Sequence, residues 1–365
     1  MQRTTHPLLP AATPLLRSSH DVVQVGGVDS SDGVLVSPAD GNLAALLRSL
    51  DGGRAQRAVL ADAARAGFDV GSIAGLLEGL HAAGLLVEVD AAGLLAAEAG
   101  PAAQARAAVE LAGSRAFSAA VPASAAWRGR RSAAVVIDGA TRVGTPLAAI
   151  LAGSGVGRVS VSDSGLTTAA DAVAGGLTAA DEGRPRSLAA ADAVRRASPL
   201  TDLRPLPPGT GPDLVVLTRP WAAVDPLSVA WQRSGTPHLV ATVRQQTGVV
   251  GPFVLPGTSS CLGCAEAWRR DDDPAWPRLA AQLAAADAGP SGSTITCLLT
   301  ALTAAVQVLA HLDGSGQPTT VDATLELRPP TFLPRQRRWP PHPGCGCVGA
   351  AERGGGADSG HWAGE

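Results

Sequence analysis

The chain has no lysine and no tyrosine, a single methionine and four phenylalanines, and aromatic residues fill only 3% of its 365 positions. Without lysine neither a Walker phosphate loop nor a Schiff base can be built, so chemistry that depends on either is excluded. Charge is also sparse, at 17% of residues with a formal net charge of −3, and no global field draws nucleic acid or anionic lipid. Long hydrophobic runs are missing as well. Met1 to Leu16 lacks a signal-peptide core, and no segment reaches the roughly 18 unbroken apolar residues of a membrane span. The expectation is a cytoplasmic protein with neither membrane nor nucleic acid as partner. In that compartment paired cysteines are more often metal ligands than disulfides.

Four of the five cysteines stand as Cys261-Leu-Gly-Cys264 and Cys345-Gly-Cys347. A CxxC knuckle and a distant CxC make a closed four-thiolate set for structural zinc, with no position left for water. Such a site staples the C-terminal segment to its domain, and its binding energy is folding energy. The fifth, Cys297, falls in an apolar helical stretch from Thr294 to Leu312 and reads as a small buried residue.

At 45% hydrophobic the chain can bury more than one core. Residues 1–20 read as a flexible N-terminus and 21–90 as a small module. Short strand runs at Val22 to Val25 and Gly33 to Val36 are split by glycine turns; helical faces follow at Leu43 to Leu50, Val59 to Ala63 and Ile73 to Leu80, before a strand at Leu85 to Val89. That order suggests a winged-helix-like module. A DNA reader needs arginines or amides on its third helix, and between Gly71 and Gly84 the ionisable residues are only Glu78 and His81. Two readings remain: a dimerisation or packing module, or a peptide clamp. In the clamp a ligand strand joins the sheet edge and tucks against the third helix, with Val34, Val36, Ile73 and Leu77 as candidate contacts.

Residues 91–131 are alanine-rich and read as a helical connector. A buried strand at Ala133 to Asp138 then runs into Gly139-Ala-Thr141-Arg-Val-Gly144 and a helix, and a second strand ends at Asp163, about twenty residues on, where a ribose acid belongs. Strand, glycine turn and helix make the phosphate-binding half of a nucleotide fold. One position departs: the middle glycine is Thr141, whose Cβ crowds the approach of phosphate. The alternative reading is a turn that merely joins strand to helix with no nucleotide. Further strands at Asp213 to Leu217 and His238 to Val243 predict an α/β domain over 132–348, with a Rossmann-like, mostly parallel sheet and a zinc-stapled C-terminal part. Arg269 to Asp273 read as a solvated loop, and 349–365 as a disordered tail.

Together these features resemble the ThiF/MoeB-type adenylyltransferase superfamily, relatives of the ubiquitin-activating enzymes. The carriers of the resemblance are Gly139 to Gly144, Gly155 to Asp163, Asp181-Glu-Gly-Arg-Pro-Arg186, Ala197-Ser-Pro199 and the two cysteine pairs. The resemblance implies ATP and magnesium, adenylation of a C-terminal carboxylate, and a homodimer.

The departures fall in the chemistry. The family's phosphate-binding lysine corresponds to Arg186, the acid after the ribose acid to Gly165, and the magnesium acid to Thr218-Arg219; the phosphate arginine stretch has become Ala172 to Leu177. Losing a metal ligand and a phosphate cation each costs several kcal/mol of transition-state stabilisation, which counts against ATP and magnesium here. The pattern is similar to one branch, the ThiF-like leader-peptide-binding or cyclodehydratase partner proteins of thiazole/oxazole-modified (TOMM) peptide biosynthesis. Its other carriers are Pro256 to Cys264, Asp273 to Pro277 and Trp339 to Cys345. That resemblance implies a protein that binds a precursor peptide and presents it to a separate YcaO-type enzyme. The alternative is a divergent adenylyltransferase in which Arg186 replaces lysine and Asp163 still holds ribose; a nicotinamide or flavin oxidoreductase fits Thr141 and the cysteine set poorly.

Overall fold

The computed structural model describes residues 5–27, 33–37, 42–90, 107–111, 113, 121–220, 228–285 and 289–347. The chain divides into two compact units, Met1–Ser132 with Ala310–Gly316, and Ala133–Leu309 with Gln317–Glu365.

The first unit holds an antiparallel sheet of three short strands, β2 (Leu15–Arg17), β3 (Val23–Val25) and β4 (Val34–Val36), in that order, so among the described residues one edge of β4 has no strand beside it. Three helices follow: α1 (Leu43–Arg48), α2 (Gln56–Arg65) and α3 (Val70–Ala82). Asp69 starts α3 by accepting the Ser72 N–H at 2.7 Å, which also lowers its own pKa. The apolar residues recurring at helical spacing meet Val23 and Val25 in one core containing Leu43, Leu47, Val59, Ile73, Leu77 and Leu80. A second ribbon pairs β1 (Thr5–Leu8) with β5 (Val87–Asp90). Both β1 and β2 lie in the stretch expected to be a flexible N-terminus; at four and three residues each is too short to show an alternation.

Helix α4 (Ala123–Ser132) lays Ala123 and Trp127 against Leu8, Val87 and Val89. Its Arg130 forms a two-pronged bond to Asp313, Nε to Oδ1 and a terminal nitrogen to Oδ2, both at 2.6 Å, with the side chains 3% and 2% exposed. Most of the expected connector, and all of the expected tail at 349–365, lie outside the described residues.

The second unit is a seven-stranded sheet in the order β12-β11-β10-β9-β8-β6-β7. The nucleotide-type half comprises β6 (Ala134–Asp138), α5 (Gly144–Gly153), β7 (Arg158–Ser162), α6 (Arg186–Ala197), β8 (Leu214–Leu217), α7 (Ser228–Arg233) and β9 (His238–Arg244). Strands β7, β6, β8 and β9 run parallel. β8 reads Leu-Val-Val-Leu and is buried throughout, as a parallel strand covered on both faces must be. The chain crosses from one side of β6 to the other between β7 and β8, so the switch point opens at the C-terminal ends of β6, β7 and β8.

The sheet continues antiparallel through β10 (Thr247–Val254), β11 (Ala323–Leu327) and β12 (Pro334–Arg338). Between them come α8 (Leu262–Asp272), α9 (Trp276–Ala285) and α10 (Thr294–Leu312). Arg269 to Asp272 therefore end a helix rather than forming a loop, with Asp273 as its C-cap. Arg269 is held there by Glu266 at 2.9 Å and by stacking against Trp339, 4.7 Å from the ring centre. α10 is long and apolar enough on average to cross a membrane, yet Thr296, Cys297, Thr300, Ala301, Ala304 and Val308 are buried within the fold.

Candidate functional site: a cleft at the switch point and a four-cysteine cluster

β6 ends at Asp138, and the chain turns through Gly139 at φ +108°, a conformation that favours glycine. A Cβ on Gly144 would lie 2.2 Å from the Gly139 carbonyl oxygen, so both ends of the loop require glycine for packing reasons alone. Thr141 lies between them. Its hydroxyl oxygen accepts the Gly144 N–H at 2.9 Å and the Val143 N–H at 3.3 Å, and it contacts the Thr218 hydroxyl at 3.2 Å. Thr218 in turn lies within hydrogen-bonding distance of the carbonyls of Asp138 and Gly139, at 3.0 and 2.8 Å. These helix-entry amides are the donors that a phosphate would take in a binding loop. Here the chain's own hydroxyl takes them.

The other predicted nucleotide residues are likewise engaged. Asp163 accepts the Ala140 N–H on Oδ2 at 2.9 Å and the Gly165 N–H on Oδ1 at 2.8 Å. Arg186 donates to Asp171 at 2.8 Å, and the same Asp171 oxygen also accepts the amide and hydroxyl of Thr168. Arg219, on the position of the magnesium acid, bonds Asp138 at 2.9 Å through Nε. Thus Thr141, Asp163 and Arg186 converge around a cleft of about 390 Å³ also lined by Arg142, Thr168, Thr242 and Ser291, while Gly139 and Gly144 shape the turn behind it without lining it. Arg142 donates to the Gly292 carbonyl at 3.1 Å and to Thr294 at 3.2 Å, and pairs with no carboxylate among the described residues. The cleft presents three guanidinium groups; its two carboxylates, Asp163 and Asp171, are already bonded. No described side chain there is poised as a general base or as a free magnesium ligand.

Sequence reasoning missed Arg142 and Asp171 as linings of this cleft, and Asp138 as the partner of Arg219. One signal was available for Asp171: Thr168-Ala-Ala-Asp171 and Thr178-Ala-Ala-Asp181 are two capping boxes in succession, and both fold as such.

The cysteine pairs meet. Cys261 precedes α8, Cys264 lies in its first turn, and Cys345 and Cys347 return from the C-terminal segment. The Sγ atoms of Cys261 and Cys264 are 3.9 Å apart, Cys261 and Cys345 3.6 Å, and Cys264 and Cys347 3.3 Å. A tetrahedron of thiolates about 2.3 Å from a central ion has edges of roughly 3.8 Å, so the donor set fits a metal. Charge points the same way. A hydrogen bond from the Cys261 thiol holds Cys264 down at about 4, that shared proton with burial pushes Cys261 up, and burial pushes Cys347 up to about 12. Four thiols this close cannot all ionise without a cation between them. Around the cluster Trp268 donates to the Pro340 carbonyl at 2.8 Å and meets the His342 ring edge-on at 4.7 Å. Cys297 is buried elsewhere, its thiol on the Ser291 carbonyl at 3.4 Å.

In the first unit Val34 and Val36 pack partly against the core, whereas Ile73 and Leu77 are only 5% and 4% exposed. The expectation that Ile73 and Leu77 touch a ligand is corrected: their periodicity marks the inner face of α3, and burial leaves them no surface. Exposed apolar groups nearby are Leu35, 54% exposed on β4, and Val70, 42% exposed at the start of α3.

The ThiF family model matches residues 126–347. Among solved structures, E. coli MccB with ATP superposes at a TM-score of 0.60 with 14% identity, covering 94% of this chain and 99% of that one. The microcin C7 biosynthetic enzyme MccB in complex with N-formylated MccA gives 0.59 at 14% identity, covering 93% and 99%. PaaA gives 0.58 at 15% identity, covering 90% and 98%. The curated proteins contain no sequence match to the chain. The switch-point sheet, the glycine turn and the four-cysteine cluster lie inside the matched region, and the chain belongs to the ThiF family.

Proposed function

We propose that this protein binds a precursor peptide through its N-terminal unit and presents it to a separate YcaO-type enzyme, with its own nucleotide cleft retired. The observation that carries the reading is the internal bonding of the cleft. Thr141 occupies the helix-entry amides, Asp163 two loop amides, and Asp171 and Asp138 two of the three arginines. ATP would have to displace all four arrangements, each a charge-assisted or capping bond worth about 1 to 3 kcal/mol. The solved structures support a peptide partner, because one of them holds MccB with N-formylated MccA.

In the first unit three antiparallel strands precede three helices, and β4 offers an edge that a peptide strand can extend. On this reading the module is a winged-helix-like clamp. The peptide pairs with the backbone of Val34 to Val36 and packs on the accessible residues Val70 and Leu76, while Ile73 and Leu77 hold α3 in place. Zinc is the metal proposed for the cysteine cluster, where it is structural, and a homodimer and a cytoplasmic setting complete the proposal. The test is to pan a displayed library of 20-residue peptides on the full chain and follow hydrogen exchange. Binding without ATP that protects the amides of β4 supports the clamp; binders that need ATP, or that protect the Gly139 to Gly144 loop instead, oppose it.

The second reading, a divergent adenylyltransferase, draws on Arg142, which has no carboxylate partner among the described residues and faces the same cleft. It predicts ATP-dependent activation of a peptide carboxylate.

A further inference from the structure

We propose that the outer edge of β12 is a docking strand for an acidic, extended peptide segment of a partner protein. Among the described residues β12 is the last strand of its sheet, paired on one side only, with β11. Just beyond it the Trp339 amide donates to the Asp322 carbonyl at 2.6 Å. In an antiparallel ladder the residues facing the partner alternate, so Arg337 and Arg335 direct their backbone groups to β11, and Pro334, Gln336 and Arg338 direct theirs outward. Gln336 and Arg338 therefore each offer an N–H and a carbonyl to a new strand. Pro334 offers a carbonyl alone.

Charge selects the partner. From Arg328 to Arg338 the chain carries four arginines and no carboxylate. Arg328 is answered by Glu326, and Arg337 by Asp272 at 3.3 Å while its guanidinium stacks 4.0 Å from the Trp339 ring centre. Arg335 and Arg338 are exposed and have no ion pair among the described residues. They lie on opposite faces of the strand, because side chains alternate. An added strand with carboxylates on both of its faces would meet one arginine on each. Arginine and proline on an edge also discourage a second copy of the same strand from pairing there; neither device repels an acidic strand, and the arginines attract one.

The probe is an acetylated, fluorescent heptapeptide of glutamate pairs set between single valines, which puts carboxylates on both faces of an extended strand, titrated by anisotropy into the full metal-loaded chain, with the same peptide carrying lysine in place of glutamate as control. The expected result is binding of the acidic peptide at about 100 μM or tighter, weakening as salt rises, at least about tenfold tighter than the lysine peptide. Arg335→Glu with Arg338→Glu should lower that affinity by at least about tenfold. Arg335→Gln with Arg338→Gln, a milder change on an exposed strand, should lower it less and serves if the first pair misfolds. No binding at about 1 mM, equal binding of the two peptides, or unchanged affinity in the folded arginine variants overturns the proposal.

Discussion

Replacing Asp163 with alanine separates the two readings of the cleft. In this structure the carboxylate is a strut, accepting the Ala140 amide at 2.9 Å and the Gly165 amide at 2.8 Å. Bonds to a charged acceptor contribute roughly 1.5 to 3 kcal/mol each, and a half-buried site belongs at the lower end. Both lost together, and not fully additive, amount to about 2 to 3 kcal/mol. Ala140 is fully buried, so its orphaned N–H finds water poorly and the cost should not vanish. Urea unfolding followed by circular dichroism should show that loss for Asp163→Ala and about half of it for Asp163→Asn, which keeps one acceptor. At a temperature where the variant is still folded, peptide binding to the N-terminal unit should be unchanged. The reasoning is refuted if stability moves by less than about 0.5 kcal/mol in both variants while an ATP-dependent activity disappears. Asp163 would then be a ribose ligand.

Asp313→Ala leaves Arg130 charged and buried at the end of α4, and should cost about 3 to 5 kcal/mol in urea unfolding; a cost below about 1 kcal/mol would show that water reaches the site. The purified chain should carry about one equivalent of metal by elemental analysis, and Cys264→Ser or a strong chelator should remove it and lower the melting temperature by several degrees. Burial lowers the pKa of His238 from its usual value of 6.5, so the folded protein binds this proton less readily than the unfolded chain. Its contribution to stability is full above about pH 6.5 and declines as the pH falls below that value, and His238→Gln should flatten this part of the stability profile. Asp202, held at about 2 by Arg204 and Arg158, contributes stability above about pH 4 that is lost as the pH falls through 2; Asp202→Asn should reduce acid sensitivity in that window.

The parallel half of the sheet could be read from the sequence because buried parallel strands are short, unbroken apolar runs. Val135 to Ile137 and Leu214 to Leu217 have no competing period. The cysteine cluster was legible for the opposite reason, since few residues do the chemistry and their spacing is restrictive. β12 was not, because Pro-Arg-Gln-Arg-Arg carries no apolar face at all and is a strand only through its ladder with β11. The cleft was half legible. Thr141, Asp163 and Arg186 line one cleft, yet pairwise partners such as Asp171 for Arg186 depend on loop geometry that no local pattern encodes. Ile73 and Leu77 show the limit of periodicity: it identifies a face of α3 without saying that the face is inner.

Calorimetric titration of the metal-loaded protein with ATP and magnesium asks whether the chain's own side chains keep nucleotide out of the cleft. No heat at millimolar ATP is the predicted result. A dissociation constant tighter than about 100 μM, roughly −5.5 kcal/mol, would contradict it and make the adenylyltransferase reading the better one.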